Sequence, residues 1–288
     1  MNIIKLYEKF PTEKDCLDYL IKIRWKGNIK CIYCGHSKVG IQKEKAPRKT
    51  RLQCYHNNCK KSFSVTQGTI YHRSHFALQK WFLAACIVIN AKKSISSCQL
   101  ARDLGTRQAT AWRILHKIRG AMKTNDLLLR GDIEMDETFI GKRDATYEKR
   151  EGRRNKKLPI VGMLERKGNL KALLARNITG AYFHLLIKQN IDIENSRLFT
   201  DSFQSYQGVK EFMVHKTVNH RYKYVDGEAH TNTLEGFWSL FKRGFVGQYH
   251  KLSAKYLDSY LTEFCWRYNN RKNKNIFNDF MNNSVALC

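Results

Sequence analysis

Asp132-Ile-Glu-Met-Asp-Glu-Thr-Phe-Ile140 alternates acidic and apolar residues as a strand does, and sets a carboxylate at Asp136 inside the run. Side chains two apart on a strand share a face, so Asp136 is expected to point with Glu134 and Asp132, and Glu137 away from them. Further strand-like runs occupy 158–164, 170–175, 197–200 and 212–215, with a single helical stretch, 181–188, between them. Two helices are expected within 231–272. In the first, Leu234, Phe237, Trp238 and Phe241 form the buried stripe with Glu235 on its border; the second places Leu257, Tyr260, Leu261, Phe264 and Tyr268 at helical spacing. Strands first and helices last indicate an α+β domain, assigned to 130–282, behind smaller N-terminal modules.

Upstream, 76–124 is helical, with Leu78, Trp81, Phe82, Ala85 and Ile89 on one face. Two shorter helices follow, split at Gly105. In the second, Ala111, Ile114, Leu115 and Ile118 form the packing stripe, leaving Arg107, Gln108, Thr110, Arg113 and Lys117 to face outward. Those side chains can reach base edges and phosphates from a major-groove helix, so 75–125 reads as a helix-turn-helix DNA-binding domain, an ordinary helical hairpin being the alternative.

Between 29 and 70, Cys31-x-x-Cys34 and Cys54-x4-Cys59 offer four thiolates to one tetrahedral Zn²⁺, the arrangement of a zinc ribbon, with His36 or His56 as possible replacements for one sulfur. Four protein ligands leave no open position, so this zinc is structural. Lys43, Lys45, Arg48, Lys49 and Arg51 lie between the cysteine pairs, on a hairpin suited to a DNA backbone. Residues 1–28 form a helical lead-in, with Thr12 a possible N-cap.

The chain has 288 residues, 52 Lys and Arg against 25 Asp and Glu, for a formal net charge of +27. Such a surplus favours a polyanionic partner, because each phosphate neutralised releases condensed counterions. The longest apolar run, 81–89, is nine residues, too short for a membrane span. The opening MNIIKLYEKF lacks the apolar core of a signal peptide, and an odd count of nine cysteines suits metal ligation and free thiols in a reducing cytoplasm. Lysine-rich 142–157, with eight basic and three acidic residues, reads as a DNA-contacting segment beside the Asp136 strand.

Against this charge, three acids sit where solvation alone would not ask for them: Asp136 in its strand, Asp201 at the carboxyl end of Leu198-Phe-Thr-Asp, and Glu235 on its helix. Two aspartates on adjacent strands and a glutamate on a helix packed against them can hold two Mg²⁺ or Mn²⁺ ions, about 3.5–4 Å apart, for in-line attack on a phosphodiester. Glu235 could instead, or also, be the N3 partner of an Asn232 cap. Lys242, two helical turns after Glu235, could touch a phosphate beside the metals.

Four runs, Asp136-Glu-Thr-Phe-Ile-Gly141, Thr200-Asp-Ser-Phe203, His230-Thr-Asn-Thr-Leu-Glu-Gly-Phe-Trp-Ser239 and Arg267-Tyr-Asn-Asn-Arg271, resemble the ISXO2-like insertion-sequence transposases, and the ribbon followed by Phe63-Ser-Val-Thr resembles that group's N-terminal module. The resemblance implies a ribonuclease H-like fold and a DDE-type metal site at Asp136, Asp201 and the acid of the His-Thr-Asn-x-x-Glu motif. Glu235 occupies that place, with Asn232 as alternative or neighbour. The expected protein is a DNA transposase that binds terminal inverted repeats and target DNA as a homo-oligomer, and that hydrolyses phosphodiesters and joins 3′-hydroxyls. Its rivals are a non-catalytic zinc-ribbon and helix-turn-helix regulator, and a structure-specific nuclease.

Overall fold

The computed structural model describes residues 1–42, 51–123, 128–141, 157–218, 230–250 and 252–286. Lys43, Lys45, Arg48, Lys49 and all but the last residue of 142–157 lie outside the described residues, and with them the proposed basic contacts. The chain divides into two compact units, Met1–Met122 with Asn273–Cys288, and Lys123–Lys272.

The first unit opens with α1 (Ile3–Lys9) and α2 (Glu13–Trp25). Thr12 caps α2 as expected: its hydroxyl accepts from Asp15 N–H, and the Asp15 carboxylate accepts in return from Thr12 N–H. Three short strands, β1 (Val39–Ile41), β2 (Arg51–Cys54) and β3 (Ser62–Ser64), form an antiparallel sheet in that order. Then come α3 (Leu78–Asn90), α4 (Ser97–Leu104) and α5 (Gln108–Ala121). Ala77 offers no side-chain cap to α3, and Glu13 supplies it from α2, its carboxylate accepting from Leu78 and Gln79 N–H at 2.8 and 3.2 Å. α4 ends at Gly105 in the left-handed conformation (φ 59°), where a side chain would be strained, and this turn joins the two helices of the expected helix-turn-helix.

The second unit is built on one five-stranded sheet. Its strands are β4 (Leu129–Ile140), β5 (Leu158–Glu165) and β6 (Leu170–Leu174), then, after α6 (Gly180–Asn190), β7 (Ile191–Asp201) and β8 (Val214–Val218), with α7 (Asn232–Gly244) and α8 (Leu257–Asn269) closing it. The order is β6-β5-β4-β7-β8, with β4, β5 and β6 antiparallel to their neighbours and β7 and β8 added in parallel, a mixed sheet compatible with a ribonuclease H-like domain. On β4 the period of two separates the faces. Ile133 and Met135 join the core with Phe183 and Ile187 of α6, whereas the opposite face packs Ile160 and Leu164 of β5 with Phe237 and Phe241 of α7 and Phe264 of α8. β7 starts earlier than the run 197–200 because its first residue pairs with Leu129 across an irregularity at Gly131 (φ 79°). β8 starts later than 212, since residues 209–211 are taken up in a 3₁₀ turn.

Periodicity left one helix unread at each end: α1, and α9 (Ile276–Ser284). α9 belongs to the first unit, where Phe277, Phe280 and Met281 are buried and the Ser284 hydroxyl meets the Tyr71 hydroxyl at 2.8 Å. The stretch 130–282 therefore overruns the compact unit, which ends at Lys272. Among the described residues, no helix is long and apolar enough to cross a membrane.

Three strands of three or four residues cannot bury a core of their own, which is why the ribbon needs a staple. Cys31, Cys34, Cys54 and Cys59 bring their sulfurs within 4.8 Å of one another, with Cys31–Cys59 and Cys34–Cys54 both at 3.7 Å. A tetrahedron with Zn–S bonds of about 2.3 Å has edges of about 3.8 Å, so the cluster fits structural zinc. The histidines are not needed: His36 Nδ1 accepts from Lys38 N–H, and its ring stacks on His56 at 4.4 Å. Metal analysis of the purified chain is expected to find one zinc, and Cys54→Ser to leave well under half of it, with loss of protease resistance over 29–70.

Candidate active site

β4 and β7 lie side by side in parallel, with Glu134 opposite Phe199, a register that carries Asp136 to the level of Asp201, the last residue of β7. Carboxylate oxygens of Asp136, Glu137 and Asp201 come within 4.8 Å of one another. Strand alternation puts Asp136 and Glu137 on opposite faces, and the expectation that Glu137 points away is overturned here. β4 runs on past the end of β7, so no strand walls off the two faces, and the longer glutamate side chain reaches the same rim. Tyr206 holds it there, its hydroxyl donating to Glu137 Oε2 at 2.9 Å.

Each acid is oriented by a donor. Trp238 Nε1 donates to Asp136 Oδ2 at 3.0 Å, and Phe203 N–H donates to Asp201 Oδ1 at 3.0 Å. The indole can reach Asp136 because the residue paired with Asp136 on β5 is Gly162, where a Cβ would stand 2.6 Å from the Trp238 ring and 2.9 Å from Leu234. Trp238, read from sequence only as part of the buried stripe, is thus also a polar partner of the site. Asp132 takes no part: Arg197 grips it through two bonds of 2.7 and 2.8 Å, which hold its carboxyl below the usual range.

Burial first, and then the charge of Asp201, push Asp136 up to about 6 and Glu137 up to about 7. Glu235 adds to the rise at Asp136. Oxygen donors this close, whose anions are disfavoured until a cation arrives, match the chemistry of a hard divalent ion.

An open cleft of about 460 Å³ borders two of the three acids, with Asp136 and Glu137 on one side and Glu235, Ser239, Lys242 and Arg243 of α7 on the other; Asp201 does not line it. Glu235 and Lys242 therefore share this cleft, but Glu235 stands across from the trio rather than among its oxygens. Asn232 is the first residue of α7, exposed and not part of the cleft wall. The capping box expected between Asn232 and Glu235 does not form. Thr231 is the N-cap residue, and its hydroxyl donates to Glu235 Oε1 at 3.2 Å.

On α5, Arg107, Gln108 and Arg113 are exposed and Thr110 is half-buried. Lys117 departs from its expected outward role: its ammonium donates to the His72 carbonyl at 2.8 Å and sits over the Trp81 ring. Trp112 and His116, which sequence reading passed over, are half-buried and their rings meet at 4.1 Å one turn apart.

Residues 128–269 match the ISXO2-like transposase domain, and residues 11–62 match a transposase zinc-ribbon domain. A relative from Halobacterium salinarum, described as "Uncharacterized protein in transposable element ISH50", is 26% identical over 272 residues, covering 88% of this chain and 90% of its own. A chain from the cryoEM structure of the simian T-cell lymphotropic virus intasome in complex with PP2A regulatory subunit B56 gamma shares 15% identity over 64% of both chains, at a TM-score of 0.31. With the ribbon and the acid-bearing sheet each falling inside its matched domain, the chain belongs to the ISXO2-like transposases that carry an N-terminal zinc ribbon.

Proposed function

We propose that the chain is the active transposase of an insertion sequence, working in the cytoplasm on double-stranded DNA. It would bind the element's terminal inverted repeats as a homo-oligomer, hydrolyse phosphodiesters at the ends and join the freed 3′-hydroxyls to target DNA. The observation that carries this reading is the convergence of Asp136, Glu137 and Asp201, the first two of which line a cleft whose far wall offers Glu235 and Lys242. A solvated acidic patch on a +27 chain would find lysines and arginines; this one is half-buried at Asp136 and Glu137 and oriented by Trp238 and Tyr206.

Asp136 and Asp201 would hold divalent cations, Mg²⁺ or Mn²⁺, with Glu235 closing from α7. Two such ions, when bound, supply an activated oxygen nucleophile and relief of charge on the leaving oxygen. The chain's own part is positional. Trp238 aims Asp136, the Phe203 amide aims Asp201, and Lys242 and Arg243 stand where a phosphate strand crossing the cleft would pass. Glu137, fixed by Tyr206, is a further carboxylate oxygen at the same rim. In the first unit, Arg107, Gln108, Thr110 and Arg113 of α5 would read the terminal repeats, while the surplus charge supplies sequence-independent affinity for the backbone.

Cleavage and joining assays on end-containing duplexes test the assignment. Asp136→Ala, Asp201→Ala and Glu235→Gln are each expected to lower both rates by at least about 10³-fold while leaving DNA binding within about twofold, and Lys242→Ala to cost about 10- to 100-fold. Full activity of Glu235→Gln with a dead Asn232→Ala would move the third ligand to Asn232.

The raised carboxyls make a separate forecast on stability. In the folded chain Asp136 holds its proton up to about 6, against an ordinary 3.8, so without divalent ions stability falls as pH rises through that window. Asp136→Asn removes the charge and keeps an acceptor for Trp238. Its urea midpoint at pH 8, with no divalent ion added, is expected to exceed wild type by the equivalent of up to about 3 kcal/mol, a gain that vanishes toward pH 4. Equal midpoints at pH 8 would show that the carboxylates do not repel one another as described.

A further inference from the structure

Two residues before Asp136, and on the same face of β4, lies Glu134, with 0% of its surface exposed. A carboxylate removed from water must find donors, and this one finds them at the start of α7. Its Oε2 accepts from the backbone N–H groups of Thr233 and Leu234 at 3.1 and 3.0 Å, and its Oε1 from the Thr233 hydroxyl at 3.0 Å and from Arg166 Nε at 3.1 Å. His230 Nδ1 lies 3.2 Å from Oε1. Arg166 locks the approach, donating to the His230 carbonyl at 2.9 Å while its guanidinium stacks on Phe199 at 4.1 Å. The N-cap residue Thr231 contributes no side-chain cap, so the first turn of α7 is satisfied from the sheet.

We propose that Glu134 is the positioning residue of the site: by receiving the N-terminus of α7 it sets Trp238 and Glu235 against Asp136. Leu234, whose amide it binds, is one residue from Glu235 and one helical turn from Trp238. The helix is therefore pinned to β4 twice on one face, at residue 134 through its N-terminus and at residue 136 through the indole. Gly162 keeps the space between the two pins open. The pinning explains why His230, Thr231 and Thr233 stand together in the motif: each contacts Glu134 or Glu235. The metal-binding consequence rests on the function proposed above; the positioning itself does not.

The test uses the full, zinc-loaded chain and two readouts, Mn²⁺ binding followed by electron paramagnetic resonance and the Trp238 indole ¹⁵N–¹H resonance, assigned with Trp238→Phe. Glu134→Gln is expected to bind Mn²⁺ at least about 10-fold more weakly, as loss of a group that orients a ligand does, and to shift the indole resonance upfield. Thr233→Val should move both the same way by less, and Thr233→Ser, which keeps the hydroxyl, should match wild type. A folded Glu134→Gln with wild-type values in both readouts overturns the proposal, and so does weaker Mn²⁺ binding with an unmoved indole, which would mark a charge effect at a distance. Should Glu134→Gln not fold, the threonine pair decides: Val and Ser variants alike in both readouts refute positioning, and a hydroxyl-dependent indole shift supports it. Absence of Mn²⁺ binding by wild type, with the indole still moved by Glu134→Gln, would sink the metal reading while upholding the role of Glu134.

Discussion

Mutual repulsion is the constraint around which the second unit is arranged. Three carboxylates within 4.8 Å of one another, partly withdrawn from water, oppose their own assembly, and the raised pKa values of Asp136 and Glu137 reflect burial first and that repulsion second. Only a stiff support can hold such groups together. Asp136 and Glu137 are carried by the central strand of the sheet, paired on both sides, and Asp201 ends the strand beside it. Ile133 and Met135, fully buried on the reverse face, anchor that strand between its two carboxylate-bearing turns of the pleat. Flexible loops presenting the same acids would relax apart, lowering the repulsion and losing the site with it.

The two units solve the stability of small scaffolds by different means. In the second, two apolar clusters sandwich the sheet and leave the acids at its rim. In the ribbon of the first, three strands of three or four residues bury little beyond Leu52 and Phe63, and four thiolates at tetrahedral spacing supplement that small core. The cost is a dependence of the ribbon on metal and on reduced sulfur, whereas the helices of the first unit rest on packing, as the second unit does.

Local periodicity was a good guide wherever one element decided its own environment. The stripe of α7 and the Thr12 cap came through, since each depends on neighbours within a few residues, and so did the cysteine quartet, whose residue type and pairwise spacing are themselves the signal. What sequence could not carry was set by partners distant along the chain. Glu137 joins the trio because β7 stops at Asp201, a fact about register between strands more than sixty residues apart. Lys117 is drawn from the outer face of α5 by the carbonyl of His72, and α9 reads as part of the second domain until Tyr71 and Ser284 are seen to meet. Asn232 resembles a cap by residue type, yet the helix starts one residue earlier because Glu134 supplies its amides from another strand.

The acids most easily read as the site are the ones whose placement explains least about how it is held. Asp136, Asp201 and Glu235 belong to a strand, a strand end and a helix, and of the three only Asp136, through the single Trp238 indole bond, ties the helix to the sheet. The joining falls to residues that a search for ligands passes over: a fully buried Glu134, a Trp238 that counts as apolar, and a Gly162 whose contribution is an absent Cβ. Glu134 and Asp136 are the same kind of group two positions apart on one face, and the partner each meets separates their roles. Helix amides, a hydroxyl and a guanidinium saturate Glu134 and leave it no capacity for a cation, whereas Asp136, held by the Trp238 indole and a backbone N–H, keeps capacity toward the cleft it lines. Saturation by donors is thus what divides a carboxylate that builds the site from one that can act in it.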